Sequence, residues 1–521
     1  MSWRSIRVAT PDEQPARQVA VLDLGSNSWR VVVFTYAPQS WWKRTDELYE
    51  TVRIGAGIDG SGRLGDDAMR RGLETLGVFA RFCRAHGLGP KEVHAVATSA
   101  IRDATNRDEF LREAKAASGI DVEVLSEDEE ARLAYVAAVN TTTLDDGVVV
   151  ELGGGSLQLV GVHDRQAVST ASFTLGAVRL TERFLPGPAP AKKKELERVR
   201  EHVRKTLAEV RWLSGGNARL VGLGGAVRNL AAAAEPAAVR SEVGIQGYMI
   251  TSQQLRALVR QLAELPVAER GAVPGIKPGR ADIILAAAVA LETVVELADA
   301  AGLEVTEAGL REGLFIAREL LGGKEPLLED VRVAAVHNLA VQYEADLVHS
   351  EHVAALALQM YDSLLAADLF KPVTGERELL WAAAMLHDVG MTISYDDHHK
   401  HSQYLIVSAE LPGFDPRERA LIAQISRYHR KGTPKLDEMA PLANEGDAEL
   451  LERCALLLRV AEHLERGRDQ SVREVRLRAN GDGVDLHLEA AGDLTLPRWS
   501  VERYGDDEAF ERVFGRRLLI G

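Results

Sequence analysis

The sequence predicts an α/β fold: two similar α/β domains facing each other across a cleft, then an all-α domain and a small α+β C-terminal segment. Three observations predict it. A strand–glycine turn–strand unit occurs twice, around Asp23 and around Glu151, a weak internal duplication. From about residue 326 the apolar pattern turns almost wholly helical. The final stretch alternates again, as in VREVRLRANGDGVDLHLEA, which is the period of a strand.

Taken in order, VAVLDLG and WRVVVFTY read as two strands around a tight turn over 18–36. Residues 66–86 read as a helix, 93–98 as a buried strand, 107–117 as a helix, DVEVLS as a short strand and 127–139 as a helix. GVVVE at 147–151 opens the second strand–turn–strand, which SLQLVGV continues. A charged helix follows over 190–213, then ARLVGLGG as a strand running into a glycine turn with a helix behind it. Residues 281–299 form an Ala-rich helix, and LREGLFIARELL another. GGKEP at 322–326 reads as a linker. The expected domains are 16–140, 141–321, 326–470 and 471–521.

Size and composition bound the function. With 521 residues the chain is too long for one core. Apolar residues make up 46% and charged residues 27%, which is ordinary for a globular protein. The two cysteines, Cys83 and Cys454, match no metal or redox spacing, so a reducing, cytoplasmic setting is expected. The polar opening shows no apolar leader, and no uncharged apolar run is long enough to span a membrane. A net charge of −15 argues against duplex nucleic acid as a partner. It leaves room for a phosphate ligand held by local basic groups, backbone N–H groups and metal.

Three glycine turns each follow an apolar strand: Gly25-Ser26-Asn27-Ser28, Gly153-Gly154-Gly155-Ser156 and Gly222-Leu223-Gly224-Gly225. Such turns can aim several N–H groups at one phosphate. One alone reads as an ordinary hairpin; three, two of them led by an acid, read as phosphate cradles. Those acids, Asp23 and Glu151, either hold a hard cation such as Mg²⁺ against the phosphates or cap their own turns. Thr98, Ser99 and Arg102 in ATSAIRD suit oxyanion binding, with Ser99 equally readable as a helix cap. The acidic run in SEDEEARLAY either complements a helix dipole or supplies a general base.

Together, VLDLGSNSWRVVVF, ATSAIRDATN, SEDEEARLAY, VVVELGGGSLQLV, LVGLGGAVRNLA and GLREGL resemble the exopolyphosphatase and guanosine pentaphosphate phosphohydrolase (Ppx/GppA) family. That family lies in the actin/Hsp70/sugar kinase superfamily. The resemblance covers roughly residues 18–320 and implies two ribonuclease-H-like domains with the active site between them. It implies that Glu130 orients the attacking water and that Asp23 and Glu151 handle Mg²⁺ (or Mn²⁺) and water. Gly25, Ser26, Asn27, Ser28, Ser99, Arg102, Gly153, Gly154, Gly155, Ser156, Gly224 and Gly225 would bind phosphate. It also implies a homodimer. Two departures stand out. Glu151 replaces the usual Asp, which moves the carboxylate by about 1 Å. Leu157-Gln158 replaces the usual Thr-Glu and removes a charge.

The helical region holds most of the histidines. His349 and His352 lie on one helix face, His387-Asp388 ends an apolar helix, and His398, His399, His401 and His429 follow. This region resembles the HD superfamily of metal-dependent phosphohydrolases. Carried over, the ligands of a second divalent metal are His349, His387, Asp388 and Glu462, the last replacing the usual Asp. His352, His398 and His399 also read as surface residues.

The expected activity is therefore Mg²⁺-dependent hydrolysis of terminal phosphoanhydride bonds in polyphosphate or guanosine pentaphosphate. The alternatives are a regulatory protein that binds (p)ppGpp or polyphosphate with little or no turnover, and a nucleotide phosphohydrolase seated in the HD-like domain.

Overall fold

The computed structural model describes residues 15–214, 218–235, 243–481, 483–505 and 507–520. The polar opening at 1–14, on which the expected lack of a leader rests, lies outside the described residues. The chain divides into two compact units. The first runs to Val331 apart from a short segment at 241–244, and the second runs from Arg332.

The first unit contains two sheets. In one, β1 (Arg17–Leu24), β2 (Trp29–Ala37) and β3 (Trp41–Glu50) form an antiparallel meander, and β4 (Val93–Ala97) and β5 (Val122–Val124) extend it in parallel beyond β1. The second sheet repeats this. β6 (Gly147–Leu152), β7 (Leu157–His163) and β8 (Gln166–Phe173) form the meander, and β9 (Leu220–Leu223) lies parallel beside β6. β10 (Met249–Thr251) and β11 (Gly302–Val305) complete the order β10-β11-β9-β6-β7-β8. The duplication expected around Asp23 and Glu151 is thus a duplication of topology.

The central strands read as unbroken apolar runs because both of their faces are buried. Val19 and Val21 pack with Val32 and Phe34 in one core, whereas Ala20, Leu22 and Leu24 pack with Val31 and Val33 in another. The helix Ile284–Leu297 is buried along nearly its whole length, the condition under which a helix is apolar all round.

Several elements differ from expectation. The charged helix expected over 190–213 spans Lys193–Leu207. Prolines 186, 188 and 190 hold the preceding chain extended, and a 3₁₀ turn at Arg211–Ser214 carries Leu213 into the core. The helix expected over 310–321 is α-helical only to Phe315 and continues as a π-helix over Ile316–Leu320. Strands β3 and β8 escaped the sequence reading because both are mostly solvent-exposed edges, where no buried face imposes an alternation.

In the second unit the helices Leu347–Ala366, Glu376–Leu386, His398–Ser408, Pro416–Arg427 and Asp447–Leu464 share one core. A hairpin of β12 (Val472–Asn480) and β13 (Gly483–Ala490), with β14 (Arg517–Ile520) parallel to β13, closes on that core through Val472, Val475 and Leu486. Helices Thr495–Tyr504 and Asp507–Phe514 lie between β13 and β14 in sequence. Among the described residues, no helix is long and apolar enough to cross a membrane.

Candidate active site

The duplication places two acids at equivalent points. Asp23 is the penultimate residue of β1, in register with Arg30 on β2 and Val96 on β4. Glu151 is the penultimate residue of β6, in register with Gln158 on β7 and Leu223 on β9. Each strand then enters its glycine turn. In the first, the Trp29 indole N–H donates to the Gly25 carbonyl (3.1 Å). In the second, the Gly153 N–H donates to the Ser156 carbonyl (3.0 Å). The two turns meet at Gly155. A Cβ there would lie 2.2 Å from Ser99 Oγ and 2.8 Å from Ser26 Oγ, so only glycine allows the approach. The Ser26 and Ser99 hydroxyls hydrogen-bond each other at 2.9 Å. The third turn passes through Gly224 at φ 103° and starts the helix Gly225–Ala234.

The acidic run divides its labour by helical phase. Ser126 caps the helix Glu127–Val139 by accepting from the Glu129 N–H, and Glu129 reaches back to the Ser126 N–H at 2.8 Å, a reciprocal capping box. Glu129 is therefore the structural acid. Glu130, one position on, is 5% exposed and faces the cleft. Arg102 Nη1 donates to its Oε2 at 2.7 Å and Ser156 Oγ to its Oε1 at 3.3 Å. Gln158 Nε2 in turn donates to Ser156 Oγ at 2.8 Å. Gln158 thus tethers the Ser156 hydroxyl, in a place where a carboxylate would instead accept from it.

The cavity between the turns is lined by three acids, Asp23, Glu130 and Glu151, and by four arginines, Arg30, Arg228, Arg280 and Arg311. Burial pushes Asp23 above the ordinary carboxylate range, although Arg311 Nη1, 3.2 Å from its Oδ2, pulls the other way. Burial, and then the charges of Glu130 and Asp23, push Glu151 well above that range. Burial likewise raises Glu130, with Arg102 opposing. Among the arginines, burial and neighbouring Arg311 lower Arg228 to about 10, and burial lowers Arg280 and Arg30. Three buried side-chain atoms of the lining lack a hydrogen-bond partner: Glu151 Oε2, an acceptor, and Asn27 Nδ2 and Arg311 Nε, donors. A desolvated acidic group with a spare oxygen fits a divalent cation, and the basic wall with a spare amide N–H fits an anion.

Of the residues expected to form the site, Asp23, Gly25, Ser26, Asn27, Ser28, Ser99, Glu130, Glu151, Gly153, Gly154, Ser156, Gly224 and Gly225 line this one cavity. Two do not. Gly155 is taken up by the packing of the turns, and the Arg102 guanidinium is spent on Glu130 and on the Leu125 carbonyl (3.2 Å). The four wall arginines went unread. Arg30 was within reach, since it pairs with Asp23 across the hairpin. Arg228 and Arg311 lie inside LVGLGGAVRNLA and GLREGL without being singled out there, and Arg280 had no local signal.

A second cluster lies in the other unit. His349 Nε2 is 3.0 Å and His387 Nε2 3.4 Å from Glu462 Oε2, and Asp388 is 3.6 Å from His387 and 3.9 Å from His349. The four residues expected as ligands therefore converge. His398 and His399, also read as surface residues, are 4% and 3% exposed. Each lies in the first turn of the helix His398–Ser408, and Gly390, which a Cβ would drive into the His398 carbonyl at 2.2 Å, lets the preceding segment close over them.

Comparison with known proteins agrees with this architecture. The Ppx/GppA phosphatase family profile matches residues 36–321, and a profile described as Ppx/GppA phosphatase, domain III, matches 331–497. A guanosine-5'-triphosphate,3'-diphosphate pyrophosphatase of Vibrio vulnificus (strain YJ016) is 29% identical over 477 residues, 90% of this chain and 92% of its own. The crystal structure of an exopolyphosphatase-like protein is 27% identical with a TM-score of 0.52, covering 57% of this chain and 96% of its own. An exopolyphosphatase from Cytophaga hutchinsonii ATCC 33406 is similar in fold, with a TM-score of 0.53 at 23% identity, covering 57% of this chain and 96% of its own. With both profiles in sequence order and the paired α/β sheets beneath the first, the chain belongs to the Ppx/GppA phosphatase family.

Proposed function

We propose that the cleft hydrolyses the terminal phosphoanhydride bond of inorganic polyphosphate or guanosine pentaphosphate. One observation carries the reading: a buried, hydrogen-bonded Glu130 lines one cavity together with Asp23, Glu151 and four arginines. The names of the Vibrio relative and of the exopolyphosphatase-like structure support the two substrate classes.

The chemistry follows from these groups. Glu130, raised in basicity by burial, holds a water and takes its proton as the water oxygen bonds to the terminal phosphorus. The bridging P–O bond breaks, and the shortened chain or nucleotide leaves. Asn27 Nδ2, the turn N–H groups and the wall guanidiniums stabilise the phosphoryl oxygens. Asp23 and Glu151 would hold Mg²⁺ or Mn²⁺, which when bound neutralises phosphate charge. Arg102 and the Gln158–Ser156 pair fix Glu130 without touching the substrate.

In the helical unit, read as HD-like, His349, His387, Asp388 and Glu462 would hold a further divalent ion; its donor set of imidazole and carboxylate suits Mn²⁺, Fe²⁺ or Zn²⁺. The buried, free thiols of Cys83 and Cys454 support a cytoplasmic setting. A homodimer is the proposed assembly.

Released phosphate is the test, measured with Mg²⁺ and long-chain polyphosphate, guanosine pentaphosphate or ATP in turn. We expect release from at least one of the first two, and a loss of about a hundredfold or more in Glu130→Gln. No release from any substrate would favour a regulatory binding protein. Full activity in Glu130→Gln, with loss in His387→Ala and Asp388→Ala, would move the reaction to the helical unit.

A further inference from the structure

The edge strand β3 brings one residue to the cleft that the hydrolysis proposed above does not use. Tyr49 lines the cavity. Its place follows from strand register. Asp23 pairs with Arg30 across β1 and β2, and Arg30 pairs with Tyr49 across β2 and β3. Directly paired residues of antiparallel strands point to the same face of the sheet. The three side chains therefore form one row, from the acid near the end of β1, through a guanidinium, to an aromatic ring at the sheet edge. Two interstrand spacings separate its ends, about 10 Å between backbones.

The row is held in order by its neighbours. Glu47, two residues before Tyr49 on β3 and so on the same face, accepts from Arg30 Nη1 at 3.2 Å. The Arg30 guanidinium lies against the Tyr49 ring, with Cζ 5.1 Å from the ring centroid. Lys277 Nζ lies 6.0 Å from the same centroid. The backbone N–H of Lys277 donates to Asn229 Oδ1 at 2.7 Å, which fixes the loop that carries the ammonium. The Tyr49 hydroxyl accepts from Thr51 Oγ1 at 3.3 Å. These contacts orient the ring, yet the residue remains 38% exposed, so a ligand can still reach it.

The chemistry of the row changes along its length. A carboxylate and a guanidinium suit a phosphate and its counter-ion. The face of a phenol ring is the negative side of its quadrupole and gains nothing from a bare phosphate chain. In inorganic polyphosphate every unit is alike and charged, and a groove made for it alone would call for a cation at this place as well. A ring there suits a flat, neutral group at the far end of a short phosphate chain. The flanking cations fit the same ligand, since they attract its phosphates and are themselves held against the ring. A nucleoside polyphosphate has this shape: its base trails its phosphates.

We propose that Tyr49 is a nucleobase platform, on which the base of a nucleoside polyphosphate stacks while its phosphates lie among the acids and arginines, and that this contact sets the preference for a nucleotide over inorganic polyphosphate. The proposal rests on the cleft as the place of phosphoanhydride hydrolysis and names the part of the substrate that Tyr49 meets. Stacking uses a π face that all bases share, so it does not by itself select guanine.

Two measurements on the full-length protein test it. In the first, phosphate release is compared between guanosine pentaphosphate and inorganic tripolyphosphate. Tyr49→Leu should lower kcat/KM for guanosine pentaphosphate roughly tenfold, chiefly through KM, and leave that for tripolyphosphate within about twofold. Tyr49→Phe and Tyr49→Trp, which keep a ring, should retain the wild-type ratio. Tyr49→Gln serves as a second variant without a ring, and thermal unfolding identifies any variant that fails to fold. In the second, the same two ligands are titrated calorimetrically into Glu130→Gln, with and without Tyr49→Leu, so that binding is read without turnover. The weakening should again be confined to guanosine pentaphosphate. Absence of phosphate release by wild type would overturn the hydrolysis reading, and the binding titration would then decide the base contact alone. Equal losses on both ligands, no loss on either, a Tyr49→Phe as impaired as Tyr49→Leu, or no binding of guanosine pentaphosphate to Glu130→Gln would overturn the proposal and leave Tyr49 as an edge-strand packing residue.

Discussion

At the scale of single residues, two adjacent glutamates of one helix do different work. Glu129 closes a cap and Glu130 enters the cleft. Ser126→Ala should therefore cost about 1 kcal/mol of stability and leave phosphate release nearly unchanged. A lower melting temperature with an equal rate is the expected pair of readings. Glu130 also sets an expectation for pH. In the proposed mechanism the carboxylate is the working form, and burial raises its pKa above the usual range. Activity should fall as pH drops through that raised value. Arg102 opposes the rise, so Arg102→Ala should move the acid limb of kcat/KM to still higher pH. A limb that stays in place or moves lower would separate Glu130 from the proton transfer. Glu319 adds an expectation for stability. The hydrogen bond from His94 (2.7 Å) and that from Tyr36 hold it below the ordinary carboxylate range. A depressed acid stabilises the fold above its unfolded pKa and loses that contribution as pH falls through its folded value. The stability gap between wild type and Glu319→Gln should thus be present at neutral pH and close in acid, as chemical denaturation across pH will show.

Elements explain how far the sequence could be read. The strand–turn–strand units were legible because both faces of β1 and β6 are buried, which writes apolar runs into the chain, and because the turns need glycine. The acid at each strand end was legible for the same reason, as the one charge in an apolar run. The edge strands β3 and β8 were not, since solvent sets no pattern on them. Nor was the burial of His398, which depends on Gly390 and the packing of a distant segment rather than on its own neighbours. Helix contact matters in the same way to the base. A Cβ on Gly313, in the helix Leu310–Phe315, would stand 2.0 Å from the Leu133 carbonyl of the helix that carries Glu130. Gly313→Ala should force these helices apart, costing about 1–3 kcal/mol. It should also lower kcat more than it raises KM, although residue 313 is not part of the cavity wall. Thermal unfolding and steady-state kinetics together check both halves.

For the whole molecule, the division at Val331 sets an expectation for truncation. The exopolyphosphatase-like structure covers 57% of this chain and 96% of its own, an extent shorter than the first unit. A chain ending at Val331 should fold, melt cooperatively and release phosphate from the substrate the full-length chain cleaves, as calorimetry and phosphate assay will show. The duplicated sheets carry a last consequence. Two identical halves would offer a linear ligand the same reception from either end. Here the halves have diverged where it matters: Asp23 is tied by Arg311, and Glu151 keeps an oxygen untied. The groove is therefore polar in the sense that a one-way street is. A threaded polyanion has a head and a tail in it, and the order in which its units would be met is written into the broken symmetry of a repeated fold.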